Sequence, residues 1–178
     1  MNTSLPNVYD QLPGLNLGKF QILDAPTHPK TQALFDYWSS MRNGKALPRK
    51  TDINPLRIPK LLPNLGLIEV DRSQGVRFRI KLYGTNAVEV AREERTGKFL
   101  EDIAQNLSAE TRATIIDRQQ ACLRAYETRL PHFTVGRRKD PERSFHIVHT
   151  AVLPLSADGN QVDHILGLMV TENDIEGE

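Results

Sequence analysis

Hydrophobic and polar positions alternate strictly over residues 76–83, where Val76, Phe78, Ile80 and Leu82 fall on one strand face and Arg77, Arg79, Lys81 and Tyr83 on the other. An apolar run at 65–70 precedes them, and residues 71–75, ending in Gly75, supply a hairpin turn between the two. This predicts an antiparallel pair. Over 108–129 the period lengthens to that of a helix: Ile115, Ile116, Gln119, Cys122, Leu123 and Tyr126 form one stripe, with Ser108 as N-cap and Pro131 beyond the end. Three strand segments follow at 132–138, 144–155 and 162–172, joined by turn-forming Lys-Asp-Pro-Glu at 139–142 and Ala-Asp-Gly-Asn at 157–160.

The earlier part of the chain reads differently. Residues 1–27 form an arm punctuated by proline and glycine, in which only 19–23 suits a short strand. A helix begins near Thr27 or His28 with Pro29 at its first position, carries Leu34, Tyr37, Trp38 and Met41 at helical spacing, and stops at Asn43-Gly44. Residues 48–63 hold Pro48, Pro55, Pro59 and Pro63, so a short helix or turn, capped by Asp52, is all they allow. Between the strand runs, 85–104 is helical in short pieces broken at Thr96-Gly97. Strands separated by a helical block predict an α+β fold with an antiparallel sheet, because a parallel sheet needs alternating crossovers. The expected organisation is an arm (1–27), a helix with a proline-rich leader (28–63), a core (64–172) and an acidic tail (173–178).

Composition narrows the function classes. At 178 residues, with 39% hydrophobic and 25% charged, the chain has the balance of one globular domain. No uncharged apolar stretch approaches the roughly 20 residues a bilayer requires, and the N-terminus lacks the basic and apolar regions of a secretory signal. The single cysteine, Cys122, excludes an internal disulfide framework and multi-cysteine metal sites, so a cytoplasmic location is expected. Net charge is +1, which leaves no overall nucleic-acid footprint. Locally, residues 42–60 gather Arg42, Lys45, Arg49, Lys50, Arg57 and Lys60 against Asp52 alone. Either this is a solvated surface or it meets an acidic partner. Its prolines keep a long recognition helix from forming, so specific DNA binding is not expected.

The order helix, two strands, short helices, long helix, three strands resembles the PAS sensory domain. More local features carry the same resemblance: Leu47-Pro48-Arg49-Lys50-Thr51-Asp52-Ile53-Asn54-Pro55 followed by Leu61-Leu62-Pro63, preceded by Trp38 and Arg42, is similar to the leader of a bacterial PAS subfamily with little else attached. The segment 79–84 and Thr96-Gly97-Lys98-Phe99-Leu100 resemble that subfamily's second strand and helical block. The resemblance implies a five-stranded antiparallel sheet whose helical side can enclose a small-molecule pocket, and a tendency to dimerise. It implies no particular cofactor. The family's ligands include haem, flavins and organic acids, but Cys122 sits outside the block where flavin-linked cysteines occur, and that block holds no histidine.

Candidate site residues follow, each with a plainer alternative. Gln119 interrupts the apolar stripe of the long helix, and a buried amide without a partner costs about 1–3 kcal/mol. Either backbone or water satisfies it, or it orients a ligand, with Cys122 and Tyr126 beside it. His146 and His149 lie three apart on a strand, so they point to opposite faces and cannot share a metal. One of them faces the pocket, or both are packing and surface residues. Tyr83 ends a basic strand face on which Arg79 could hold a ligand carboxylate. No metal site and no catalytic constellation is present: there is no Gly-x-Ser-x-Gly elbow, His-Glu-x-x-His pair or phosphate loop.

These features predict a sensory module without catalytic activity or an output domain in the chain, binding a small molecule or a signalling protein partner. The rival is a ligand-free dimerising scaffold. In both, a homodimer is expected, with the stripe Leu34, Tyr37, Trp38 and Met41 as candidate interface together with the exposed sheet face.

Overall fold

The computed structural model describes residues 20–140 and 143–172; the greater part of the N-terminal arm and the acidic tail at 173–178 lie outside the described residues, as does part of the 139–142 turn. The chain runs through β1 (Phe20–Leu23), α1 (Pro29–Met41), β2 (Leu65–Asp71), β3 (Arg77–Tyr83), α2 (Thr85–Ala91), α3 (Leu100–Gln105), α4 (Ala109–Thr128), β4 (His132–Asp140), β5 (Arg143–Ser156) and β6 (Val162–Thr171). All strands join one antiparallel sheet in the order β1-β4-β5-β6-β2-β3. The fold is α+β, with six strands rather than the expected five. The additional one is β1, the short segment near 19–23, which pairs with β4 from Phe20 opposite Gly136 to Leu23 opposite Phe133.

Local chemistry explains most of the elements. His28 caps α1: its Nδ1 accepts from the Lys30 amide at 3.0 Å, and the Thr31 hydroxyl accepts from the His28 amide at 3.3 Å. The prolines of the leader confine it to three 3-10 turns, Lys50–Asp52, Pro55–Arg57 and Pro59–Asn64. Asp52 does not precede its turn as a cap. It closes the turn from the third position, accepting from the Arg49 amide at 3.0 Å. Ser108 occupies the N-cap position of α4, but its hydroxyl donates to Thr111 Oγ1 at 3.1 Å and accepts from no helix amide. Pro154 sits inside β5 at no cost to the ladder, because β4 stops pairing at Val152 and Pro154 faces Ile165 of β6 alone.

Helices cover both faces of the sheet. α3 and α4 pack on one face, called here the inner face. α1 packs on the outer face over β5 and β6. Leu34, Tyr37, Trp38 and Met41 are all buried there, with Leu34 fully inaccessible and Trp38 at 2% exposure. The Trp38 indole donates to the Pro154 carbonyl at 2.8 Å, and Phe35 meets Phe133 edge to face at 5.3 Å. The proposed dimer stripe is therefore spent within the chain, covering the sheet, and those four side chains have no surface left to offer a second copy. Tyr37, Leu47, Ile58 and Leu61 continue the same core as Leu153, Leu155 and Leu166, so α1 and the leader pack as one body with the sheet.

Candidate functional site: a cavity between α4 and the sheet

The buried face of α4 is not the one the hydrophobicity pattern selects. Ile115, Ala121, Cys122 and Ala125 are buried, while Ile116 and Leu123 are 39% and 37% exposed. The helix is turned by about one residue, some 100°, from the expected stripe. Alanines at 121 and 125 let it approach the sheet, and the turn carries Asp117 and Arg118 inward while Gln119 moves to the flank.

Between α4 and the inner face lies a cavity of about 70 Å³. Its walls are mainly apolar: Ile68, Ile80, Leu100, Ala121, Cys122, Val152 and Ile165 contribute, with half-exposed Leu82 at the rim. Polar groups enter at defined places. Thr134 and Thr150 face each other across β4 and β5 and share a hydroxyl–hydroxyl hydrogen bond. Asn64 holds the Met169 carbonyl at 2.9 Å and accepts from Asn86. Arg118 places Nη2 3.0 Å from the Met169 sulfur. Asp117 accepts from the Phe20 amide, and burial raises its carboxyl above the usual aspartate range. The Phe20 ring closes the β1 end by lying flat against Gly136, where a Cβ would sit 2.6 Å from the ring. Only glycine allows that seat.

Two of the candidate residues line this cavity: Cys122 and Tyr83. Cys122 is fully buried, and desolvation pushes its thiol up to about 12, so it stays protonated and unreactive. The others lie elsewhere. Gln119 Nε2 donates to Glu101 Oε1 on α3 at 3.3 Å, and Glu101 also accepts from the Phe78 amide. Tyr126 lies under the Arg72 guanidinium, 5.3 Å from its ring centroid, near Asp163 and Val162. Arg79 gives Nε and Nη2 to Glu69 at 2.8 and 2.6 Å, with Asp71 at 4.0 Å. It has no reach to the cavity. His146 pairs in register with Arg138 towards the start of β5. His149 points to the outer face, where Nδ1 lies 3.0 Å from the Thr27 hydroxyl and the ring lies 5.1 Å from that of His28. Burial, then the neighbouring His28, lowers His149 to about 4, so it is neutral at ordinary pH.

Sequence reasoning missed Phe20, Asp117, Arg118, Thr134, Thr150 and Met169. A charged pair inside the helical stripe reads as surface, and threonines on a strand read as propensity. The available signal was the small-residue spacing Ala121–Ala125, which marks the close-packed side of α4.

A family model described as PAS domain matches residues 26–170. The chain belongs to the PAS domain family. Members of this family are generally sensory and signalling modules, not catalysts. Two solved structures are similar to it. One is the N-terminal domain of a diguanylate cyclase with PAS/PAC sensor from Marinobacter aquaeolei, at 16% identity and TM-score 0.39, covering 64% of this chain and 99% of that one. The other is an RNA-binding light-oxygen-voltage receptor, at 12% identity and TM-score 0.46, covering 88% of this chain and 39% of that one. A search of curated proteins finds no match. Among the described residues, no helix is long and apolar enough to cross a membrane, and no cluster of three or more His, Cys, Asp and Glu side chains could hold a metal ion.

Proposed function

We propose that this PAS domain is a cytoplasmic sensory module that takes a small molecule into the cavity under α4 and passes its occupancy to a protein partner, a second copy of the chain included. The observation that supports this reading is the cavity itself. It lies on the helical side of the sheet, with apolar walls and a few convergent polar groups, the usual make-up of a small-molecule site. At about 70 Å³ it is well below the roughly 300 Å³ at which ordinary ligand pockets begin, so the ligand is small, or the walls part to admit a larger one.

The test is native mass spectrometry of the purified protein beside Ala121→Leu, whose larger side chain occupies the cavity. A small molecule that travels with the wild type and is absent from Ala121→Leu supports the proposal. A protein that carries nothing, takes up nothing from a metabolite mixture and is merely stabilised by Ala121→Leu contradicts it, and leaves the ligand-free scaffold as the better reading.

A further inference from the structure

The side of α4 turned away from the sheet is built like half of a symmetric contact. Arg112, Ile116, Gln120, Leu123 and Glu127 are all exposed. At 100° per residue they fall within about 80° of arc, on the far side of the helix from the buried Ala121, Cys122 and Ala125. Single exposed leucines and isoleucines are ordinary on a protein surface. Here two lie seven residues apart, with an amide between them, an arginine at one end and a glutamate at the other. The charges at the ends are unspent. Among the described residues neither Arg112 nor Glu127 forms an ion pair. Arg112 gives Nε to the Ala104 carbonyl at 3.0 Å and Nη2 to the Leu107 carbonyl at 3.1 Å, which fixes its guanidinium at the end of α3 without neutralising it.

This order is self-complementary. With a two-fold axis crossing α4 between Gln119 and Gln120, a second α4 runs antiparallel to the first. At 1.5 Å per residue, Ile116 then lies level with the partner's Leu123, about 5 Å from the axis, and Arg112 lies level with the partner's Glu127, about 11 Å from it. The two Gln120 amides meet beside the axis, where each can donate to the other. One patch thus supplies both halves of the contact, as an isologous interface requires. Parallel pairing in register would instead stack arginine on arginine at 112 and glutamate on glutamate at 127, and that repulsion selects against it.

We infer that α4 is a homodimer seam: two copies of the chain pair antiparallel along Ile116, Gln120 and Leu123, with Arg112 and Glu127 closing both ends. Asp117, Ala121 and Cys122 of the same helix line the cavity on its other side, so one helix joins the cavity to the second copy. As a signalling contact this pairing rests on the proposed sensory function. As a contact it needs no ligand and is tested without one.

One helix against one helix is at the small end of specific interfaces, so the expected dissociation constant is about 1–100 µM. Sedimentation equilibrium of the whole chain should show a monomer–dimer equilibrium in that range. Leu123→Glu should weaken it at least about tenfold, and Glu127→Lys, which sets a cation against the partner's Arg112 at both ends, about three- to tenfold. The direction of pairing is read by mild oxidation of single substitutions, the native Cys122 being fully buried. Gln120→Cys lies beside the axis and should give a disulfide-linked dimer, whereas Glu127→Cys, about 22 Å along the helix from its equivalent, should not. A wild type still monomeric at about 500 µM, above that range, overturns the inference. So does a dimer constant unmoved in Leu123→Glu, failure of Gln120→Cys to link, or equal linking through Glu127→Cys. Each of these results leaves the cavity and its ligand to their own test, while a dimer of this geometry whose cavity takes up nothing keeps the seam and removes the ligand.

Discussion

Acidifying the protein should loosen the seat of α1 before the carboxylates titrate. His149 lies 3% exposed beneath the start of α1, against Thr27 and His28, and is lowered from 6.5 to about 4 by burial first and by His28 second. Its neutral form is the one the fold accommodates, while the unfolded chain binds a proton near pH 6.5. Stability from this group is therefore complete above about pH 6.5, declines as pH falls, and is exhausted below about pH 4. The two pKa values give a loss of about 2 kcal/mol on going to pH 5, and about 3 kcal/mol in full. His132 and His164 are also lowered by burial, and add loss of the same sign in the same window. Asp71, Glu93, Glu94 and Asp158 are held below the usual carboxylate range, so their contributions are lost only at more acid pH. Urea unfolding of the wild type and His149→Asn, at about pH 7.5 and about pH 5, isolates the effect. The wild type should lose about 2 kcal/mol more than the variant between the two. Equal losses in the two proteins would refute the assignment of His149 as a buried neutral imidazole.

Other substitutions test particular contacts. Gly84→Ala drives a Cβ into the Pro63 and Leu62 carbonyls and should cost about 1–3 kcal/mol in urea unfolding, although φ at this residue is ordinary for any amino acid. Trp38→Phe removes the donor to the buried Pro154 carbonyl and should cost about 1–3 kcal/mol, more than a volume change alone, by the same assay. Gln119→Leu breaks the half-buried bridge to Glu101 and should lower stability by about 0.5–1.5 kcal/mol while leaving the cavity and its ligand retention untouched. The basic residues of 42–60 should give no sequence-selective shift with duplex DNA in a gel assay; Arg42 and Arg57 already lie over the Trp38 and Tyr37 rings at 5.5 and 5.7 Å.

The architecture was legible in the sequence wherever the pattern had a single cause. Alternation in β3, with Phe78 and Ile80 at 1% and 2% exposure, follows from one sheet face being buried. His28 with Pro29, and Thr96-Gly97, marked element ends because their backbone chemistry admits few alternatives. The site was less legible because its position depends on tertiary contacts. The rotation of α4 is decided by how closely Ala121 and Ala125 can approach the sheet, and a hydrophobicity stripe weights Ile116 and Leu123 more heavily than alanine. The outer-face stripe on α1 was correctly apolar, but sequence alone did not say whether β5 and β6 or a second chain would cover it. Arg118 was invisible for a similar reason: its significance comes from Met169, fifty-one residues away, being its acceptor.

The cavity under α4 carries the whole functional reading, and isoleucine-methyl NMR under xenon pressure tests it most directly. Ile68, Ile80 and Ile165 line the cavity, whereas Ile58 and Ile103 are buried in the same core but outside it. The methyl signals of Ile68, Ile80 and Ile165 should shift together and saturably as xenon enters, with Ile58 and Ile103 unmoved. Shifts spread evenly over all five, or none at any of them, would contradict a preformed ligand cavity between α4 and the sheet.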